Sequence, residues 1–76
     1  MENGTEDFDY GRYAKASEEA LDRLAAKNGV VDMRQIQLET SVPKDLIIEV
    51  LDRDMVDFPE RIGEIVDSEE GKNWKR

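Results

Sequence analysis

The clearest pattern of apolar and polar positions in this chain lies between residues 43 and 52. Four apolar residues there recur at the i, i+1, i+4, i+5 spacing of one buried helical face: Leu46, Ile47, Val50 and Leu51. Pro43 cannot continue a preceding helix, but it suits the first position of a new one. The pattern therefore predicts an amphipathic helix that begins at or just after Pro43.

A second, shorter helix is predicted immediately before it. Asp32 can cap the N-terminus of this helix, and Gln35, three residues later, can complete a capping box. Met33 and Ile36 then lie on one helical face. Thr40 favours local hydrogen bonds from its side chain over a helix interior, so the helix should be short. Two short helices joined by a tight turn predict a helix-turn-helix.

An earlier helix is expected to start at Tyr13 or Ser17 and to end at Lys27. Ser17 is a suitable N-cap, and Lys27 suits the negative end of the helix dipole. The pair Asn28 and Gly29 supplies a left-handed stop. The buried face of this helix is predicted to carry Ala20, Leu21, Leu24 and Ala25. With the two later helices, it predicts a core of Leu21, Leu24, Ile36, Val42, Ile47, Val50 and Leu51.

Strand signals occur in two places. Residues 30–31 are both valine and predict a short strand before Asp32. Residues 62–67 are interpreted as another strand, with Ile62, Glu64 and Val66 on one face and Gly63, Ile65 and Asp67 on the other. Residues 67–71 are turn formers, and residues 72–76 are expected to return as the partner strand with Trp74 against the core.

An alternative interpretation of the last third of the chain is a fourth helix. Pro59 fits the first turn of a helix, and Ile62, Ile65 and Val66 then share one helical face. Gly63 would weaken such a helix by about 1 kcal/mol relative to alanine, so the hairpin is favoured. The alternative fold is a small four-helix domain.

The two central helices resemble those of winged helix-turn-helix domains. The resemblance covers residues 14–75 and rests on the apolar positions that lock the two helices together: Ile36, Val42, Pro43, Ile47, Val50 and Leu51, followed by Met55 and Val56. It implies an α+β fold of three helices with a C-terminal β-hairpin wing. In that family the second helix of the motif enters the DNA major groove, and the wing touches the DNA backbone or minor groove.

Size and composition exclude several classes of function. Seventy-six residues make one domain, near the size at which folding buries only about 60% of the surface of the unfolded chain. The chain has no cysteine and no histidine, so it lacks a thiolate, the commonest general base and the commonest metal ligand. The acidic residues at 67–71 do not have the spacing of an EF-hand calcium loop. We therefore expect no enzymatic activity, no metal and no cofactor.

Charge divides the chain into two parts. The net charge is −8, and an acidic tail over residues 1–9 carries Glu2, Glu6, Asp7 and Asp9. The domain over residues 10–76 then has 15 acids and 11 bases. Such a surface repels phosphates and attracts basic partners, although a halophilic source would give the same acidity. No signal-peptide pattern or membrane-length apolar run occurs, so a cytoplasmic location is expected.

The outward face of the helix after Pro43 gives the first functional hypothesis. At 100° per residue, the face opposite the apolar stripe carries Asp45, Glu49 and Asp52, with Ile48 beside them. Carboxylates at positions that would meet base edges are repelled by phosphates, and specific base contacts usually come from Arg, Lys, Asn or Gln. We expect these four residues to bind a protein with a basic surface.

DNA binding through the predicted wing is the alternative. The cations and the tryptophan available for it are Arg34, Lys44, Lys72, Trp74, Lys75 and Arg76. An aromatic ring flanked by cations can contact a phosphate backbone or stack on a base. In this hypothesis the protein is a small transcriptional regulator. The sequence leaves its oligomeric state open.

Overall fold

Three helices and three strands follow one another in the computed structural model, which describes residues 9–76. The elements are α1 (Tyr10–Arg23), β1 (Val30–Asp32), α2 (Met33–Thr40), α3 (Lys44–Asp52), β2 (Glu64–Asp67) and β3 (Lys72–Lys75). The expected α+β class is confirmed. Apart from Asp9, the predicted acidic tail lies outside the described residues.

Helix α1 begins earlier than predicted. Its N-cap is Asp9, whose side chain accepts a hydrogen bond of 3.1 Å from the backbone N–H of Arg12. The prediction of Ser17 as the cap was wrong, because this residue lies inside the helix and is buried. Its hydroxyl donates to the carbonyl of Tyr13 at 2.9 Å, so the polar group is satisfied within the helix itself.

The predicted end of α1 at Lys27 was also wrong, because the helix ends at Arg23. The Arg61 guanidinium donates to the carbonyls of Leu21 and Asp22, at 2.6 and 2.7 Å, and so satisfies the last turn from a distant part of the chain. Asn28 and Gly29 do have positive φ, at 56° and 79°. They form a tight turn, across which Lys27 and Val30 bond to each other, rather than a helix stop.

The two central helices have the predicted local structure. Asp32 accepts from the N–H of Arg34 at 2.8 Å, and its own N–H donates to the side chain of Gln35 at 2.9 Å, which completes the capping box. Helix α2 ends at Thr40, whose hydroxyl donates to the carbonyl of Ile36 at 2.7 Å. Helix α3 begins directly after Pro43.

The sheet has the order β1-β2-β3. Strands β2 and β3 are antiparallel, with Ile65 opposite Trp74, so the predicted hairpin is confirmed. The four-helix alternative is wrong, because residues 60–67 form a turn and a strand. Strand β1 pairs in parallel with β2, with Val31 opposite Ile65. A parallel pair needs a crossover connection, which the segment containing α2 and α3 supplies.

The core lies between the helices and the inner face of the sheet. Five of the seven predicted core residues are buried: Leu21, Ile36, Ile47, Val50 and Leu51. Leu24 and Val42 are only partly buried, because the first lies beyond the end of α1 and the second in the turn before α3. Asp67 is buried as well, although its carboxyl group is charged at neutral pH. Within residues 9–76, no helix has the length and apolarity needed to cross a membrane.

Candidate functional site

The outward face of α3 is arranged as the helical period predicts. Ile47 and Val50 point into the core, whereas Asp45 on the opposite side is exposed. Ile48 is partly buried and packs against the core, so it contributes less apolar surface than expected. Glu49 and Asp52 lie on the same outward side as Asp45, and both take part in ion pairs.

The first of these ion pairs lies at the C-terminal end of α3, and its arginine also contacts α1. Arg53 Nε lies 2.6 Å from Glu49 Oε2, one helical turn away. The same guanidinium stands 4.3 Å from the centre of the Tyr10 ring, a cation–π contact at the start of α1. The hydrogen bond with Glu49 raises the pKa of Arg53 above its ordinary value. Glu49 is therefore partly neutralised before any partner binds.

Asp52 belongs to a contact between α3 and β3, which we call the C-terminal tie (Asp52, Lys72 and Trp74). The indole N–H of Trp74 donates to Asp52 Oδ1 at 2.8 Å, and Lys72 Nζ donates to Oδ2 at 3.3 Å. The hydrogen bond from Trp74 is the main cause of the lowered pKa of Asp52; burial opposes it, and the hydrogen bond and charge of Lys72 lower the pKa further. The tie joins a residue predicted to bind protein to two residues predicted to bind DNA.

At the other end of α3, a second contact holds the β2–β3 turn. In this N-terminal tie (Lys44, Asp67 and Glu69), Lys44 Nζ lies 3.0 Å from Asp67 Oδ2 and 2.8 Å from Glu69 Oε1. The Lys44 side chain is 16% exposed and that of Asp67 3%. Asp67 Oδ2 accepts no well-aligned hydrogen bond among the described residues, so its contact with Lys44 is an ion pair.

The protonation of the N-terminal tie follows from these contacts. The interactions of Lys44 with Glu69 and then with Asp67 raise the pKa of its ammonium group above the ordinary value. Burial by itself would raise the pKa of Asp67, but Lys44 and the backbone N–H groups of Glu70 and Glu69 outweigh it and lower that pKa. Both partners therefore remain charged over the neutral range.

Sequence reasoning missed the role of Asp67, which it read as a turn former. A signal was present in the strand pattern, because Ile65 and Asp67 fall on the same side of β2 and Ile65 points into the core. A carboxylate at an inward position needs a cation nearby. The partner itself, Lys44, is 23 positions earlier in the chain, and only the fold shows that it is close.

The remaining cations of the predicted DNA-binding set are mostly engaged as well. Arg34 Nη2 lies 3.9 Å from Glu69 Oε2, and the Arg76 guanidinium donates to the carbonyl of Glu60 at 2.8 Å. Lys75 is exposed, and its side chain has no ion pair or hydrogen bond within residues 9–76. The structure thus leaves Lys75 as the one cation of that set without such a contact in the described part of the chain.

A groove between α2 and the β2–β3 turn was not predicted. It has a volume of about 600 Å³, and its walls include Met33, Arg34 and Leu38 from α2 and Ser68 and Glu69 from the turn. Leu38 is 79% exposed. The sequence contained a signal for this exposed leucine, because the helical period places Leu38 on a different face of α2 from the buried Met33.

Metal ligands and comparisons with known proteins give no further information about the function. Within the part of the chain that the structure describes, no group of three or more potential ligands is placed to hold a metal ion. Comparisons with protein-family models, with curated proteins and with solved structures found no match. The functional argument therefore rests on the geometry and charge of this chain.

Proposed function

We propose that the protein is a non-enzymatic binding module that uses the outward face of α3 to contact a second protein with a basic surface. We further propose that the fold is a winged helix-turn-helix in which β2 and β3 form the wing. The order of the elements and the hairpin next to α3 support this assignment. The parallel pairing of β1 with β2 is a feature that the resemblance did not lead us to expect.

The observation that carries the functional proposal is that carboxylates of the same chain already pair with two cations of the predicted DNA-binding set, one on α3 and one on β3. Lys44 is held by Asp67 and Glu69, and Lys72 by Asp52. Binding of DNA phosphates depends on cations that displace counterions from the DNA. A phosphate that recruited Lys44 would leave the buried Asp67 carboxylate without its cation, which is strongly unfavourable. A DNA backbone next to the hairpin would also approach the carboxylates of the two ties.

Asp45 is expected to contribute most to partner binding. It is exposed, and no ion pair or hydrogen bond engages its side chain in the described residues. A cation on the partner can approach Asp45 without displacing another group. To reach Glu49 or Asp52, the same cation must compete with Arg53 or Lys72. Ile48, at the margin of this face, supplies a small apolar contact.

Charge reversal at Asp45 tests the proposal. Fluorescence anisotropy would compare the binding of a lysine-rich amphipathic peptide and of a duplex DNA, each at several salt concentrations. We expect the wild type to prefer the peptide and Asp45→Lys to weaken peptide binding about tenfold, a change of roughly 1.4 kcal/mol. Reversal of Glu49 or Asp52 is less informative, because it would also break a contact that holds the fold.

Glu19→Lys is the matched control. Glu19 is exposed on α1, so its reversal makes the same change in net charge on a different helix. Peptide binding weakened equally by both variants would mean that net charge alone drives binding, and the proposed face would be wrong. Tight duplex binding by the wild type, lost when Lys72, Lys75 and Arg76 are replaced by alanine, would establish the DNA alternative.

A further inference from the structure

We propose that the groove between α2 and the β2–β3 turn is a self-association surface, in which a second copy of this chain inserts Leu38. This inference goes beyond the proposed function, because it concerns a different face of the molecule. The groove has room for a leucine side chain, since its volume is about 600 Å³. Leu38 stands at its edge and is 79% exposed, the most exposed large apolar residue of the described chain.

A two-fold interface needs a surface that complements itself. The same residues lie on both sides of such an interface, so the surface must offer both a projection and a recess. Leu38 provides the projection, and the space between Met33 and the turn residue Ser68 provides the recess. Each copy would then bury the leucine of the other, which removes two apolar side chains from water at once.

The charges of the groove are also self-complementary. Arg34 lies on the helix wall and Glu69 on the turn wall, and both side chains are largely exposed. Lys44 holds Glu69 Oε1 at 2.8 Å, but Glu69 Oε2 lies 3.9 Å from Arg34 Nη2, which is too far for a hydrogen bond. This oxygen and the Arg34 guanidinium can therefore each take a second partner. Across a two-fold axis, Arg34 of each copy meets Glu69 of the other.

Other parts of the surface are less suited to a second copy. One edge strand of the sheet is β3, which carries Lys72 and Lys75. Edge-to-edge pairing of two such strands would place like charges opposite each other, a device that keeps sheet edges apart. The net charge of −8 opposes general self-association. The α2 groove, in contrast, combines an apolar projection with charges of both signs.

Sedimentation equilibrium of the full chain tests the inference. From about 10 µM to about 1 mM, we expect the apparent mass to rise from 8.7 kDa toward twice that value, as for a dissociation constant in this range. Leu38→Glu should raise the dissociation constant at least tenfold. Met55→Glu, which makes the same charge change at the partly exposed Met55 outside the groove, should leave it unchanged. Far-UV circular dichroism would show that each variant is folded.

Complementary charge reversal tests the two-fold arrangement. Arg34→Glu alone and Glu69→Arg alone each place like charges across the axis and should be monomeric. Because Glu69→Arg also removes a contact of Lys44 in the N-terminal tie, circular dichroism must first show that this variant is folded. An equal mixture of the two variants restores both ion pairs and should form a heterodimer. A wild type that stays monomeric up to about 1 mM, or a Leu38→Glu variant that associates like the wild type, would overturn the inference. A mixture that stays monomeric would overturn the two-fold pairing of Arg34 with Glu69.

Discussion

The same substitution at two leucines, Leu51→Ala and Leu38→Ala, tests how the helices are oriented. Leu51 is 7% exposed and belongs to the core, whereas Leu38 is 79% exposed. Replacing a buried leucine by alanine costs about 2–5 kcal/mol, from lost burial and from the cavity that remains. A chain of 76 residues has a free energy of unfolding of about 4–11 kcal/mol, at 0.05–0.15 kcal/mol per residue. Leu51→Ala therefore removes a large fraction of the total stability.

Leu38→Ala provides the matched control, because it makes the same chemical change on a helix. The lost burial is small there, and alanine is at least as good a helix former as leucine, so the expected change is within about 0.5 kcal/mol. This estimate applies to the monomer.

Urea denaturation followed by circular dichroism measures the difference between the two variants. The measurement belongs at a protein concentration low enough to keep the chain monomeric. With a slope of about 1 kcal/mol/M, a loss of about 2 kcal/mol lowers the midpoint by about 2 M urea. Equal midpoints for the two variants would refute the orientation of α3 and the assignment of the core.

Three further predictions concern backbone conformation and the two ties. Gly29→Ala should destabilise the fold by about 1–2 kcal/mol, because φ is +79° there. Gly11→Ala, in the first turn of α1, should instead stabilise the fold by up to about 0.5 kcal/mol. Thermal denaturation compares the two variants, and equal effects would contradict the argument. The lowered pKa of Asp67 means that its stabilisation is complete above the ordinary aspartate pKa of about 3.9 and is lost as the pH falls through the lower folded-state value. Asp67→Asn should therefore show a smaller loss of stability than the wild type between about pH 4 and pH 2, and an unchanged acid profile would exclude Asp67 as its source. Asp52→Ala should shift the emission of Trp74, the single tryptophan, at neutral pH, because the indole N–H loses its acceptor; an unshifted spectrum would argue against the C-terminal tie.

The charged residues of α3 and of the hairpin are paired with each other to an extent that the composition does not show. The sequence suggested an acidic helix face opposed by a basic hairpin, and the functional hypotheses divided along that line. In the structure, α3 and the hairpin pair their charges with each other. Asp52 of α3 holds Lys72 of β3, and the buried Asp67 of β2 holds Lys44 of α3. Of the acids on the outward face of α3, Asp45 is left without such a contact in the described residues. This is why the proposed function depends on a single carboxylate more than on the total charge.

The sequence by itself determined the elements whose signals are local. The capping box of Asp32 and Gln35, the start of α3 after Pro43, and the hairpin around Gly71 all depend on residues within a few positions of one another. Their physical cause is the geometry of a short stretch of backbone and its nearest side chains. The apolar spacing of α3 also fixed which of its faces is buried, because a helix repeats every 3.6 residues.

Only the tertiary structure decided the features that join distant parts of the chain. The end of α1 depends on Arg61, 38 positions beyond Arg23, and the N-terminal tie joins Lys44 to Asp67. The parallel pairing of β1 with β2 and the groove beside Leu38 likewise exist only once the helices have packed. Local patterns cannot specify these contacts, because the chain offers many carboxylates and carbonyls to each long charged side chain and the sequence does not say which of them will be near it. Packing of the shared core selects which of them come within a few ångströms.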